Sequence, residues 1–165
     1  MTLPRELALV NVNGSPVLST KVVKEIDAIA GEWKDSQDGI CSGGETYEIK
    51  FNVDLNKSTV FTIGNGVGQY LEVEVNPAAG KLIAKRTSTT GEINFNNSFS
   101  IPSLAAPFNT EGNTMELHIY IDNSSVEIIN GDGTMAITCL VFPSVPYDRV
   151  NGVDGISYRS LNSIW

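Results

Sequence analysis

Residues 114–143 read TMELHIYIDNSSVEIINGDGTMAITCLVFP. Met115, Leu117, Ile119 and Ile121 alternate with Glu116, His118, Tyr120 and Asp122. A side-chain period of two marks a β-strand, and the apolar set predicts one buried face and one face in water. Asn123-Ser124-Ser125 turns the chain, and Val126-Glu127-Ile128-Ile129 begins the return. Asn130-Gly131-Asp132-Gly133 supplies a second turn, because Asn and Gly accept the positive φ such corners need. A third strand, 134–142, ends at Pro143, which has no N–H to give a ladder. The stretch is a β-meander, and no reactive side chains are grouped in it.

The same alternation recurs on either side. Tyr47, Ile49, Phe51 and Val53 are expected to face inward, with Glu48, Lys50, Asn52 and Asp54 in water. A return over 59–63 follows the Asn56-Lys57-Ser58 turn, and further strand patterns cover 70–75 and 81–87. The glycine-dense run 64–68 would cradle a phosphate only if a helix opened directly after it. A strand pattern follows instead, which makes the run a hairpin loop. Leu18, Val22, Val23, Ile26 and Ile29 fall near helical spacing and predict one short helix, or a helical turn after a strand, near 21–29. Residues 31–44 read as a loop holding Trp33, and 155–165 as a closing strand. About ten to twelve strands are too many for one open twisted sheet and natural for two packed face to face.

Composition agrees. At 165 residues the chain suits one domain, and its fifteen Gly and seven Pro between short apolar runs fit an all-β fold. A net charge of −8 argues against nucleic acid and anionic membrane as partners, since both carry phosphates. No apolar run approaches the roughly 20 residues of a membrane span. Met1 leads into Thr2-Leu3-Pro4 without the apolar core of a secretory leader, and the compartment of any longer parent stays open. Cys41 in a Gly/Ser loop and Cys139 in a core strand read as separate thiols, and two thiols without a nearby His make a poor metal site. No cofactor is expected. Most of the nineteen acids, Glu48 with Asp54 and Glu72 with Glu74 among them, fall on outward faces and read as solvating charges. The single His118 reads as a solvent-facing or interface residue, with no Gly-x-Ser-x-Gly elsewhere to supply a nucleophile.

Asp122, Ser124, Ser125, Val126 and Glu127, followed by Asp132, Gly133, Thr134, Met135 and Phe142-Pro143, resemble the C-terminal β-sandwich module of glycoside hydrolase family 32. That family holds invertases, inulinases and levanases. Thr2-Leu3-Pro4-Arg5-Glu6-Leu7 is similar to its hinge between catalytic β-propeller and sandwich, and Arg86-Thr87-Ser88 with Gly91 to its Asp-Arg-Ser-x-Ser-Gly run. Two departures stand out: Lys85 replaces the Asp of that run, and Ile129 an aromatic after the signature Glu. The resemblance implies a two-sheet antiparallel β-sandwich of the concanavalin/laminin-like jelly-roll type. Residues 1–12 would be a junction from a propeller outside this chain, 13–165 one sandwich domain, and the start a boundary cut from a longer protein.

The family's catalytic residues lie in propeller stretches Asn-Asp-Pro-Asn, Arg-Asp-Pro and Glu-Cys; none occurs here, so no catalytic residue is carried over. The implied role is an accessory module that docks on the propeller through Leu3, Leu7 and Leu9 and stabilises it. The alternative is a fructan-binding module, for which Trp33, Tyr147, Asp148 and Arg149 are candidate sugar or interface contacts, with Tyr70, Tyr120 and Tyr158 available besides. Glu127 is expected to make structural hydrogen bonds to backbone N–H groups.

Overall fold

Alternating segments become strands when their backbone N–H and C=O groups find partners along the edges, and here they do so in three sheets. The computed structural model describes residues 3–87, 90, 93–109 and 112–162. In chain order its strands are β1 (Arg5–Val12), β2 (Ser15–Val22), β3 (Lys34–Asp35), β4 (Tyr47–Asp54), β5 (Thr59–Gly64), β6 (Tyr70–Asn76) and β7 (Lys81–Lys85). They continue with β8 (Ser103–Pro107), β9 (Thr114–Asp122), β10 (Ser125–Asn130), β11 (Ala136–Leu140), β12 (Arg149–Asn151) and β13 (Ser157–Ser160). One sheet runs β11-β10-β9-β4-β13-β3, a second β12-β5-β6-β7-β8, and β1-β2 form a separate hairpin. Every pairing is antiparallel. The chain is an all-β sandwich, as its alternation predicts, and the two shortest strands, β3 and β12, bring the count above expectation.

The main core lies between the two large sheets. Tyr47, Ile49, Phe51 and Val53 of β4 and Met115, Leu117, Ile119 and Ile121 of β9 are all buried, as their spacing predicts. Phe51 and Phe61 meet edge to face at 5.1 Å, the arrangement their ring quadrupoles favour. Tyr47 donates its hydroxyl to the Tyr147 carbonyl at 2.7 Å, and Tyr147 donates to the Thr90 carbonyl at 3.0 Å. Cys41 and Cys139 are buried, unbridged thiols, each pushed up to about 11 by burial above all. Lys85, which replaces an acid of the family pattern, finds partners of its own: it pairs with Glu72 at 2.8 Å and Glu74 at 3.2 Å across β6.

Local departures have local causes. The helical spacing near 21–29 yields a single 3₁₀ turn, Lys24–Ala28, directly after β2. The β-branched pair Val22-Val23 favours extended backbone, which delays the turn. The third meander strand starts only at Ala136, because the turn before it is lengthened by its own side chains. Asp132 Oδ1 accepts from the Thr134 N–H at 2.9 Å, and Asn130 Oδ1 from the Met135 N–H at 2.8 Å. Trp165, Ser88 and Gly91, which entered the sequence reading, lie outside the described residues.

The largest correction concerns the face expected to be wet. Tyr120 of β9 is buried and His118 half-buried, and Glu48 of β4 is 1% exposed. These residues share the outer side of the six-stranded sheet. A second apolar cluster of Tyr120, Ile129 and Leu161, packed against by Leu3, Val22, Ile26, Ala30 and Ala136, covers them. Glu48 is therefore no solvating charge.

Candidate functional site

Three residues of the 122–143 signature, Glu127, Asp132 and Gly133, hold the N-terminal hairpin on the sheet's outer face. Asn13-Gly14, with φ of 51° and 83°, makes the two-residue corner that closes β1 on β2. The hairpin then lies on the β10-β11 turn. Thr20 donates its N–H to the Gly133 carbonyl at 2.8 Å, and Ser19 its hydroxyl to the Asp132 carbonyl at 2.6 Å. Gly133 has φ 74°, and a Cβ there would lie 2.7 Å from Lys21 Cγ and 2.9 Å from the Lys21 nitrogen. Only glycine lets the two backbones approach this closely.

Glu127 latches the start of the chain. Its Oε1 accepts the Leu3 N–H at 2.9 Å, and its Oε2 pairs with Arg5 Nη2 at 2.5 Å. The carboxylate sits in mid-strand in β10, not at a turn, and its partners come from more than a hundred residues earlier. One backbone N–H and one guanidinium thus fix the entry angle of the N-terminal segment. Leu3 belongs to the second cluster, so it faces into the domain rather than outward.

Beside the latch lies a charged network. Glu48 Oε1 meets His118 Nδ1 at 2.8 Å, and Glu48 Oε2 meets Arg159 Nη2 at 2.6 Å. His118 Nε2 meets Glu116 at 2.9 Å, and Arg159 Nη1 reaches Asp27 of the 3₁₀ turn at 2.7 Å. Held between two carboxylates, the imidazole can donate from both nitrogens only when protonated. The hydrogen bond to Glu48 raises the His118 pKa above its ordinary 6.5; burial opposes this, and Glu116 reinforces it. Burial would raise the Glu48 carboxyl, but His118, Arg159 and Tyr120 outweigh it and hold Glu48 below its ordinary 4.5. Burial, with the Glu48 charge beside it, pushes the Tyr120 phenol far up.

The proposed sugar or interface contacts do not converge. Trp33 is half-buried, with Lys50 Nζ 4.0 Å and Arg159 Cζ 4.6 Å from its ring centroid. Tyr147 is a core residue, closed to any ligand by burial and by its bond to Thr90. Asp148 and Arg149 pair with each other at 2.8 Å. Of the other signature residues, Val126 is wholly buried and Asp122 Oδ1 accepts the Asn123 N–H at 2.8 Å. The Ser124 carbonyl accepts from the Val141 N–H at 2.9 Å, and Ser125 pairs with Asp122 and Leu140 in the ladders. The Glu48, Arg159 and His118 set escaped sequence reasoning, because its members lie on three strands far apart in the chain.

Replacing Glu127 by Ala removes both latch bonds. Faster amide exchange is expected through β1 and β2, with the main-core strands unchanged and a loss of about 1–3 kcal/mol in urea unfolding. Uniform exchange across the chain would contradict the latch. For the network, the raised His118 contributes stability that is full below pH 6.5 and lost as pH rises through its folded value. The lowered Glu48 contributes above pH 4.5, a term lost as pH falls through its folded value. The stability gap between the wild type and His118→Gln should therefore be widest between those pH values. A gap constant from pH 4 to 9, measured by urea titration, would refute the assignment.

Comparison with known proteins places this architecture. The family model "Glycosyl hydrolases family 32 C terminal" matches residues 17–162. A levanase of Bacillus subtilis (strain 168) is 29% identical over 187 residues, covering 99% of this chain and 27% of that protein. The sandwich superposes on an exo-inulinase from Aspergillus awamori with TM-score 0.79 at 20% identity, over 99% of this chain and 36% of the other. A sucrose-6-phosphate hydrolase from Lactobacillus gasseri gives TM-score 0.72, also at 20% identity, over 96% and 33% respectively. The chain thus spans about a third or less of the length of these relatives. The family match, over most of the chain, shows that it belongs to the C-terminal domain family of the family 32 glycosyl hydrolases.

Proposed function

We propose that this chain is the non-catalytic sandwich of a β-fructosidase-type glycoside hydrolase, and that its hairpin packs against the catalytic β-propeller of the same protein and stabilises it. The carrying observation is an apolar face with nothing over it among the described residues. Leu7 is 66%, Leu9 77% and Leu18 52% exposed, and Leu9 and Leu18 are register partners on one side of the hairpin. Exposed apolar groups in such a group mark an interaction surface rather than ordinary scatter. The Glu127 latch holds this face at a set angle, as docking a neighbouring domain requires. In this reading residues 1–12 lead in from the propeller and residues 13–165 form the sandwich. Cleavage of levan, inulin or sucrose would belong to the propeller. Nothing on the surface gathers Trp33, Tyr147, Asp148 and Arg149 for a fructan: Tyr147 is inside the core, Asp148 and Arg149 pair with each other, and Trp33 sits beside Lys50 and Arg159.

A chimera tests the reading: this chain replaces the C-terminal module of the Bacillus subtilis levanase. Changing Leu7, Leu9 and Leu18 together to Ser should lower the thermal midpoint of the catalytic domain by about 3 °C or more, while the sandwich keeps its own unfolding transition. An unchanged catalytic midpoint would remove the docking role. The isolated chain, incubated with levan and inulin, should release no fructose.

A further inference from the structure

A second exposed apolar group lies away from the hairpin. Phe95 and Phe99, in the connection between β7 and β8, stack at 4.7 Å with planes 28° apart. Phe142, just after β11, stands 6.1 Å from the first ring and 6.0 Å from the second. The guanidinium of Arg86 caps Phe99 at 4.5 Å. Phe99 thus meets both Arg86 and Phe95, and among the described residues the only rings that meet Phe95 are Phe99 and Phe142. Phe95 is 63% exposed, whereas Arg86 is only 5% exposed. A buried cation therefore backs Phe99 from inside.

The surroundings indicate what it takes. Residues 93–102, INFNNSFSIP, contain no charged side chain and intersperse the two rings with Asn and Ser. The Asn96 carboxamide and the Ser100 hydroxyl brace the loop on its own backbone, at 2.8 Å to the Ser98 N–H and 2.9 Å to the Ile93 carbonyl. Exposed Asn94, Asn97 and Ser98 sit along the chain next to the rings. With half-exposed Leu140 and Val145 beside Phe142, the apolar patch amounts to roughly 300–400 Å² at the usual area of such side chains. That is about half of one side of a stable protein–protein interface, and ample for one or two sugar rings. An aromatic face bordered by amides and hydroxyls matches a ring that presents C–H groups on one side and hydroxyls at its rim.

We propose that Phe95, Phe99 and Phe142 form a stacking platform for a neutral oligosaccharide. The site is separate from the hairpin, which rests on the Gly133 turn at the opposite end of β11, so it stands or falls independently of propeller docking.

The test is calorimetric titration of this chain with levan- and inulin-derived oligosaccharides, for the wild type, Phe95→Ala, Phe142→Ala and Phe95→Trp. Saturable binding in the millimolar range is expected, weakened at least fivefold by each Ala variant and retained by Trp, which keeps a ring at that position. Val60→Ala, at an exposed position on β5, should bind as the wild type does. Thermal melts of the variants should coincide with that of the wild type. No heat at high ligand concentration would overturn the proposal, as would Ala variants that bind normally. Self-association in sedimentation that Phe95→Ala abolishes would also overturn it, by assigning the patch to a second copy of the chain.

Discussion

Glu48 is a carboxylate removed from water on the side of the sheet that faces away from the main core, a position tenable only where cations and donors reach it. Arg159 on β13 and His118 on β9 flank it across the ladders, and Asp27 in the 3₁₀ turn closes over Arg159 from above. Satisfying one acid thus ties three strands of the six-stranded sheet to the segment that follows the hairpin. The arrangement resembles a clasp more than a stabilising contact. Buried ion pairs seldom add net stability over apolar packing, but losing one member leaves the others stranded. Its effect is to allow the covering segment one seating and few others.

The N-terminal hairpin follows from that constraint. A sandwich with one core would leave the outer sides of β9 and β10 in water, and here those sides carry Tyr120, Ile129 and Glu127. Each needs cover or a partner. Leu3, Val22 and Ile26 give the first two an apolar environment, and Leu3 and Arg5 give the third its hydrogen bonds. Ile129 packs into the same cluster and keeps the surface continuous. Glu127, Asp132 and Gly133 of the meander are thus receptors for a strand pair more than a hundred residues away. They would look inert in any reading that seeks reactive groups.

Which residues share a face was legible in the sequence; what lies over each face was not. Period two placed Tyr47, Ile49, Phe51 and Val53 together, and likewise Met115 through Ile121, because alternation is a property of the strand itself. The same alternation put Glu48, His118 and Tyr120 together but assigned them to water. Their cover comes from residues 3–30 and 159–161, and no local pattern announces a contact at such separation. The surroundings of Trp33 and Tyr147 were not legible for a related reason: an aromatic in a loop-rich stretch reads alike whether it is open, flanked by cations or inside the core. The Phe95, Phe99 and Phe142 group was missed because its third ring arrives from the far end of another strand.

The two buried thiols carry a consequence for kinetics. With each pushed up to about 11, only about one in ten thousand is ionised at neutral pH, and the side chains are shielded as well. Neither will react with an alkylating probe until the surrounding structure opens, so each acts as a clock for its own neighbourhood. Cys139 belongs to the edge strand β11, with its side chain in the main core. Cys41 lies in the segment between β3 and β4 and is tied through its N–H to the Asp148 carbonyl, 2.7 Å away. Both thiols line one core, so the order in which they become reactive tells whether the edge strand or the loop before β4 opens first.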